Sequence, residues 1–101
     1  MPPHPSAFYQ WALGHCYFVL EDYDKALAAL RRGAELRRTF VCNQVYLCLI
    51  YTLLGREEEA RVQRDEVLEL TEGRTPVLRE MFLDHDLLER YRGLIQLAGL
   101  Q

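Results

Sequence analysis

A chain of 101 residues has room for one domain, and with half its residues hydrophobic and 27% charged it has a folding rather than a disordered composition. Its net charge of -3 comes with no basic run longer than the pairs Arg31-Arg32 and Arg37-Arg38, so there is no stripe to hold a phosphate backbone and no nucleic acid is expected. No apolar run approaches the roughly 18–20 residues needed to span a bilayer. The opening "MPPHPSAF" lacks the basic start and apolar centre of a secretory signal. No membrane partner is therefore expected. The cysteines are three, Cys16, Cys42 and Cys48, all inside apolar helical runs, which points to buried reduced thiols in a cytoplasmic protein rather than to a disulfide framework.

In chain order, Ala12, Leu13, Cys16, Tyr17 and Leu20 recur at three- and four-residue spacing, the pattern of one buried face of a first helix. Asp22 offers a side-chain cap for a second helix, whose apolar stripe is Ala26, Leu27, Leu30, Ala34 and Leu36. A third helix carries Val45, Tyr46, Leu47, Ile50, Tyr51 and Leu54, and Gly55 ends it because glycine takes the left-handed conformation without penalty. Glu57, Glu58 and Glu59 then sit in the first turn of a fourth helix, where negative charge suits the dipole, and Ala60, Val62, Val67, Leu68 and Leu70 give its apolar side. Thr75-Pro76 is a start signal for a short helix to about Met81. Asp84 caps a last helix with Leu87, Leu88, Tyr91, Leu94, Ile95 and Leu97 on its apolar face, and Gly99 marks its end.

The chain also repeats. When it is displaced so that Gln10 falls on Gln44, Leu13 meets Leu47, Tyr17 meets Tyr51, Leu20 meets Leu54, Ala26 meets Ala60, Glu35 meets Glu69 and Leu36 meets Leu70. The period, with "LGHCY" followed by Ala26 and Leu30, resembles that of the tetratricopeptide repeat (TPR), a helix-turn-helix unit of roughly 34 residues. Leu13, Gly14, Tyr17 and Ala26 match its pattern in the first copy, and Leu47, Tyr51, Gly55 and Ala60 in the second. Gln10 and Gln44 stand at the tryptophan position, Cys48 replaces a small residue, Arg64 replaces an aromatic, and the closing proline is missing from both copies.

The resemblance implies an all-α fold, a short α-solenoid of two repeats (about 7–40 and 41–74) with C-terminal capping helices (about 75–101) covering the end of the stack, all within one domain. Asp84, Leu88, Gly93, Leu94, Ala98, Gly99 and Leu100 give the tail a further likeness to the C-terminal TPR regions of bacterial signalling proteins with adenylate or guanylate cyclase or transcriptional-regulator domains.

No catalytic constellation stands out. His15 and Cys16 are helix neighbours about a hundred degrees apart, with no third group to orient them. His4, His15 and His85 lack the clustered spacing of a zinc site, and "DHD" at Asp84–Asp86 reads as a helix cap. No glycine-rich phosphate loop occurs, so no enzyme activity, metal or cofactor is expected.

In the TPR family the first helix of each repeat lines a concave groove, the usual ligand surface. The resemblance places Phe8, Trp11, His15, Phe18 and Val19 there from the first repeat, and Cys42, Val45, Leu49, Thr52 and Leu53 from the second. This groove is apolar and aromatic, with His15 as its polar contact, and it lacks the Lys and Asn of the family's carboxylate-clamping members. Three readings compete: a peptide or helix of another protein in the groove, a second copy of the chain paired through the groove or through the uncovered first-helix side, or the chain's own segment in the groove.

Overall fold

The computed structural model describes residues 6–72, 89 and 92–99, and among them there is helix and turn but no strand. Five helices are described: α1 (Ala7–Val19), α2 (Tyr23–Leu36), α3 (Cys42–Leu53), α4 (Glu57–Leu70) and α5 (Arg92–Leu97). The Thr75-Pro76 start, the Pro76–Met81 helix, the Asp84 cap and Leu87, Leu88 and Tyr91 lie outside the described residues.

Local chemistry accounts for the ends. The Tyr9 N–H donates to the Ser6 side chain (3.1 Å), opening α1, and the Lys25 N–H donates to Asp22 (3.4 Å), opening α2. Helices α1 and α3 close by the same pair of crossed backbone bonds. Glu21 N–H reaches Phe18 O (3.1 Å) and Asp22 N–H reaches Tyr17 O (2.9 Å); at the corresponding positions of the second copy, Gly55 reaches Thr52 O (3.1 Å) and Arg56 reaches Tyr51 O (2.8 Å). The motif requires a positive φ, which Gly55 adopts freely at 76° and Glu21 adopts at 62° against its Cβ. The two copies thus share a turn geometry that the sequence identities alone do not carry at position 21.

These turns fold α1 against α2 and α3 against α4 as two helical hairpins, joined through α2 and α3. Helix α3 touches α1, α2, α4 and α5, and its residues Asn43 to Tyr51 are all buried. At the first hairpin Gly14 meets Leu30 so closely that a Cβ there would run into the Leu30 side chain. Between the hairpins, a Cβ on Gly33 would lie 2.5 Å from Asn43 Oδ1, and Arg31 donates to the Tyr51 hydroxyl (2.8 Å). Gln44 donates to Arg38 O (2.8 Å) and so ties the connecting segment to α3. Ile95 and Ala98 place α5 in the core beside Cys48, and Gly99 ends it with φ 75°.

Several sequence expectations change. On α1 the expected buried face carries Cys16 and Leu20 exposed and Leu13 and Tyr17 only half-buried, whereas Ala7, Gln10, Gly14 and Phe18 are buried. The reason is that α1 is the outermost described helix: α2 and α3 cover one side of it and no described helix covers the other. Leu36, Leu54, Val62 and Leu97, expected on apolar faces, are also exposed.

The Gly14–Leu30 contact should be intolerant of volume. Gly14→Val is expected to lower unfolding free energy by about 2–3 kcal/mol in urea titrations. Gly93→Ala, where an added Cβ meets nothing within 4 Å, should be neutral or stabilising by under about 1 kcal/mol.

Candidate functional site

The groove residues expected from the sequence divide into three groups. Phe18, Val45 and Leu49 have no exposed surface and belong to the core, so as walls of an open groove they are corrected. For Val45 and Leu49 the cause is the position of α3, which is packed on by four helices, and Phe18 of α1 turns inward against the Tyr46 ring. Val19, Cys42 and Thr52 are half-buried and Leu53 is exposed, but the Thr52 hydroxyl is already committed to Cys48 O (2.8 Å). Only Phe8, Trp11 and His15 come together as an accessible cluster.

Their spacing of three and four residues on α1 aligns them along one face. Phe8 is 62% exposed and its ring lies 5.6 Å from that of Trp11, while His15 lies 5.8 Å from Trp11 on the next turn. Two residues outside the expected set complete the cluster. Phe40 packs 6.1 Å from Phe8 and 6.3 Å, edge-on, from Trp11; Tyr46 packs edge-on at 5.8 Å from Trp11 and tilted at 5.6 Å from His15. Such tilted and edge-to-face pairs are favourable by about 0.5–1.5 kcal/mol each beyond area burial. Phe40 is findable from the repeat: it is the second-copy counterpart of Ser6, just before α3 as Ser6 stands just before α1. Adjacent α1 and α3 bring those positions near one another. Tyr46 sits inside an apolar run and carries no separate signal.

Two polar features lie in this aromatic setting. His15 Nδ1 is 2.8 Å from the buried Tyr46 hydroxyl, and partial burial lowers the His15 pKa from its ordinary value by desolvating the charged ring. The Trp11 indole N–H is buried with no hydrogen-bond partner among the described residues, a state that costs about 1–3 kcal/mol when the donor stays unsatisfied. The sequence gives no sign of that orphan, which depends on the tertiary packing around the indole.

The arrangement offers apolar area, one unsatisfied donor and one titratable ring. His15 contacts Tyr46 rather than Cys16, which points to solvent. Cys48 donates to Ala60 O (3.4 Å), and burial, opposed by a weaker Thr52 hydrogen bond and the nearby Arg64 charge, pushes its thiol up to about 11. Burial likewise raises the Cys42 thiol, against its backbone hydrogen bond. Among the described residues no three His, Cys, Asp or Glu side chains are grouped as a metal site would require, and no helix is long and apolar enough to cross a membrane. Comparison with protein-family models, with characterised proteins and with solved structures finds no match to this chain.

Two outcomes are expected. Because the folded His15 pKa lies below its unfolded value, the unfolded chain takes up this proton first. Stability from His15 is then full above about pH 6.5 and declines as pH falls toward the folded value. The His15 ring, followed by NMR, should titrate below 6.5, and His15→Gln should flatten the fall in thermal midpoint between about pH 7.5 and 5.5. Thiol titration of the native protein should modify Cys16 at once and Cys48 only on unfolding, since Cys48 is both buried and protonated near neutrality.

Proposed function

We propose that the chain is a non-catalytic, TPR-type protein–protein interaction module that takes an amphipathic helix or peptide of a partner on the Phe8–Trp11–Phe40 ledge. The observation that carries this reading is the combination of a mostly solvent-exposed Phe8 with a Trp11 N–H that lacks an acceptor among the described residues. Large apolar side chains of this kind supply most of the energy at protein interfaces. A partner carbonyl or carboxylate admitted when Phe8 turns aside would satisfy the indole N–H and remove the desolvation cost. His15, one turn further along, would read a second polar group.

The sequence period, the shared turn at Glu21 and Gly55, and the close Gly14–Leu30 crossing support the assignment of each hairpin as one TPR-like repeat. Helix α5 supports a C-terminal cap, since Ile95 and Ala98 lie in the core and Gly99 packs against Arg64. With the likeness of the tail, these features favour a cytoplasmic module of a bacterial signalling protein, acting beside an attached cyclase or regulator domain.

Trp11 is the only tryptophan of the chain, so its fluorescence reports the ledge directly. Peptides selected from a helical-peptide library for binding to the wild-type chain are expected to shift Trp11 emission. Phe8→Glu should weaken that binding at least about tenfold, and Trp11→Phe, which keeps the ring and removes the N–H, by about fivefold to tenfold. Val62→Glu, on an exposed face of α4, should leave it unchanged. Selected peptides that bind Phe8→Glu as well as wild type would place the site elsewhere.

A further inference from the structure

The repeat displacement maps a fully packed surface onto an open one. On α3, Leu47, Ile50 and Tyr51 are buried, and Arg31 of α2 donates to the Tyr51 hydroxyl. Their counterparts on α1 are Leu13, Cys16 and Tyr17; with Tyr9 and Leu20 they form a stripe at i, i+4, i+7, i+8 and i+11. Tyr9 is 53% exposed, Leu20 73% exposed, and Cys16 exposed. The end of the molecule formed by α1 and α2 thus has the residue pattern of a buried interface and no described helix upon it. At the opposite end α5 packs on α3, with the following Gly99 beside Arg64 of α4.

We infer that this face pairs with the same face of a second copy, through a two-fold axis that lies in the interface and crosses the helices. Self-complementarity is the reason. An axis at the level of Leu13 and Cys16 on α1 sets Tyr9 of each copy opposite Leu20 of the other, and Leu13 opposite Cys16. On α2, the antiparallel neighbour, the same level falls at Ala28, which is exposed and small enough to allow close approach. Around Ala28 the axis sets Asp24 of each copy opposite Arg32 of the other. Asp24 and Arg32 are both exposed and have no ion-pair partner within the described residues. One axis therefore matches apolar to apolar on α1 and acid to base on α2, twice over.

With α5 over the other end, the assembly closes at two copies instead of extending as a filament. Two helices about 20 Å long and about 10 Å apart offer a small contact area, toward the low end of specific interfaces. The dimer therefore dissociates on dilution. This face is turned away from Trp11 and Phe8, so pairing leaves the ledge open.

Sedimentation velocity across a concentration series tests the pairing. Wild type is expected to pass from monomer to dimer with rising concentration. Leu20→Glu, Asp24→Lys and Arg32→Glu should each raise the dissociation constant at least about tenfold. The double variant Asp24→Lys/Arg32→Glu should recover most of the wild-type affinity, because the reversed charges again face one another. Circular dichroism of each variant separates loss of pairing from loss of fold. As a second readout, Leu13→Cys should form an oxidant-dependent cross-link between copies that Leu13→Cys/Cys16→Ser does not form. A wild-type chain that stays monomeric at millimolar concentration overturns the inference, as does a dimer indifferent to these substitutions or one that the double variant fails to restore.

Discussion

The enclosure of α3 is the constraint on which the rest of this structure depends. Every residue from Asn43 to Tyr51 is buried, including two amides and the hydroxyl-bearing Tyr46 and Tyr51. A helix buried on every side needs neighbours on every side, and α1, α2, α4 and α5 each supply one. The polar groups carried inward are largely given partners: Tyr46 by His15, Tyr51 by Arg31, the Asn43 amide by Ala7 O (3.3 Å), and the Gln44 amide by Arg38 O. Two of those bonds join α3 to α1, one joins it to α2 and one to the segment between α2 and α3, so satisfying α3 also fixes the geometry of the hairpins.

The aromatic ledge is a consequence of that arrangement. The buried Tyr46 hydroxyl needs a polar partner, and it has one in His15 Nδ1 of α1. That places Trp11, one turn earlier, against the Tyr46 ring, and leaves the indole N–H enclosed without an acceptor among the described residues. Phe8 lies at the solvent edge of the cluster because α1 starts at Ala7, capped by Ser6. The ledge and the opposite stripe of Tyr9, Cys16 and Leu20 divide α1 between them, giving one helix two distinct accessible surfaces.

Much of the helical framework was legible in the sequence: the Asp22 cap, the Gly55 turn, the acidic first turn of α4 and the Gly99 ending all act where the residue types point. Those signals are local, and local chemistry decides them. The faces were not legible to the same degree. Helical periodicity shows that Leu13, Cys16, Tyr17 and Leu20 share a side of α1, but not whether another helix lies there. Only the assembled neighbours decide that Phe18 is core and Leu20 is exposed. The same limit explains Val45 and Leu49: a family's groove positions fall on a helix that this chain packs on all sides. Phe8, Trp11 and His15 were readable as a set because their spacing is local, whereas the indole orphan and the Phe40 contact depend on tertiary closure.

Backbone hydrogen exchange, resolved by residue, tests the enclosure of α3 most directly, because the slowest amides of a domain mark the segment that opens only with global unfolding. The slowest-exchanging amides are expected in α3, between Val45 and Tyr51, with protection equal to the global unfolding free energy. Amides of α1 near Tyr9 and those of α5 should exchange through smaller openings in monomeric protein. A slowest core located in α2 or α4, with α3 exchanging through sub-global openings, would contradict the account.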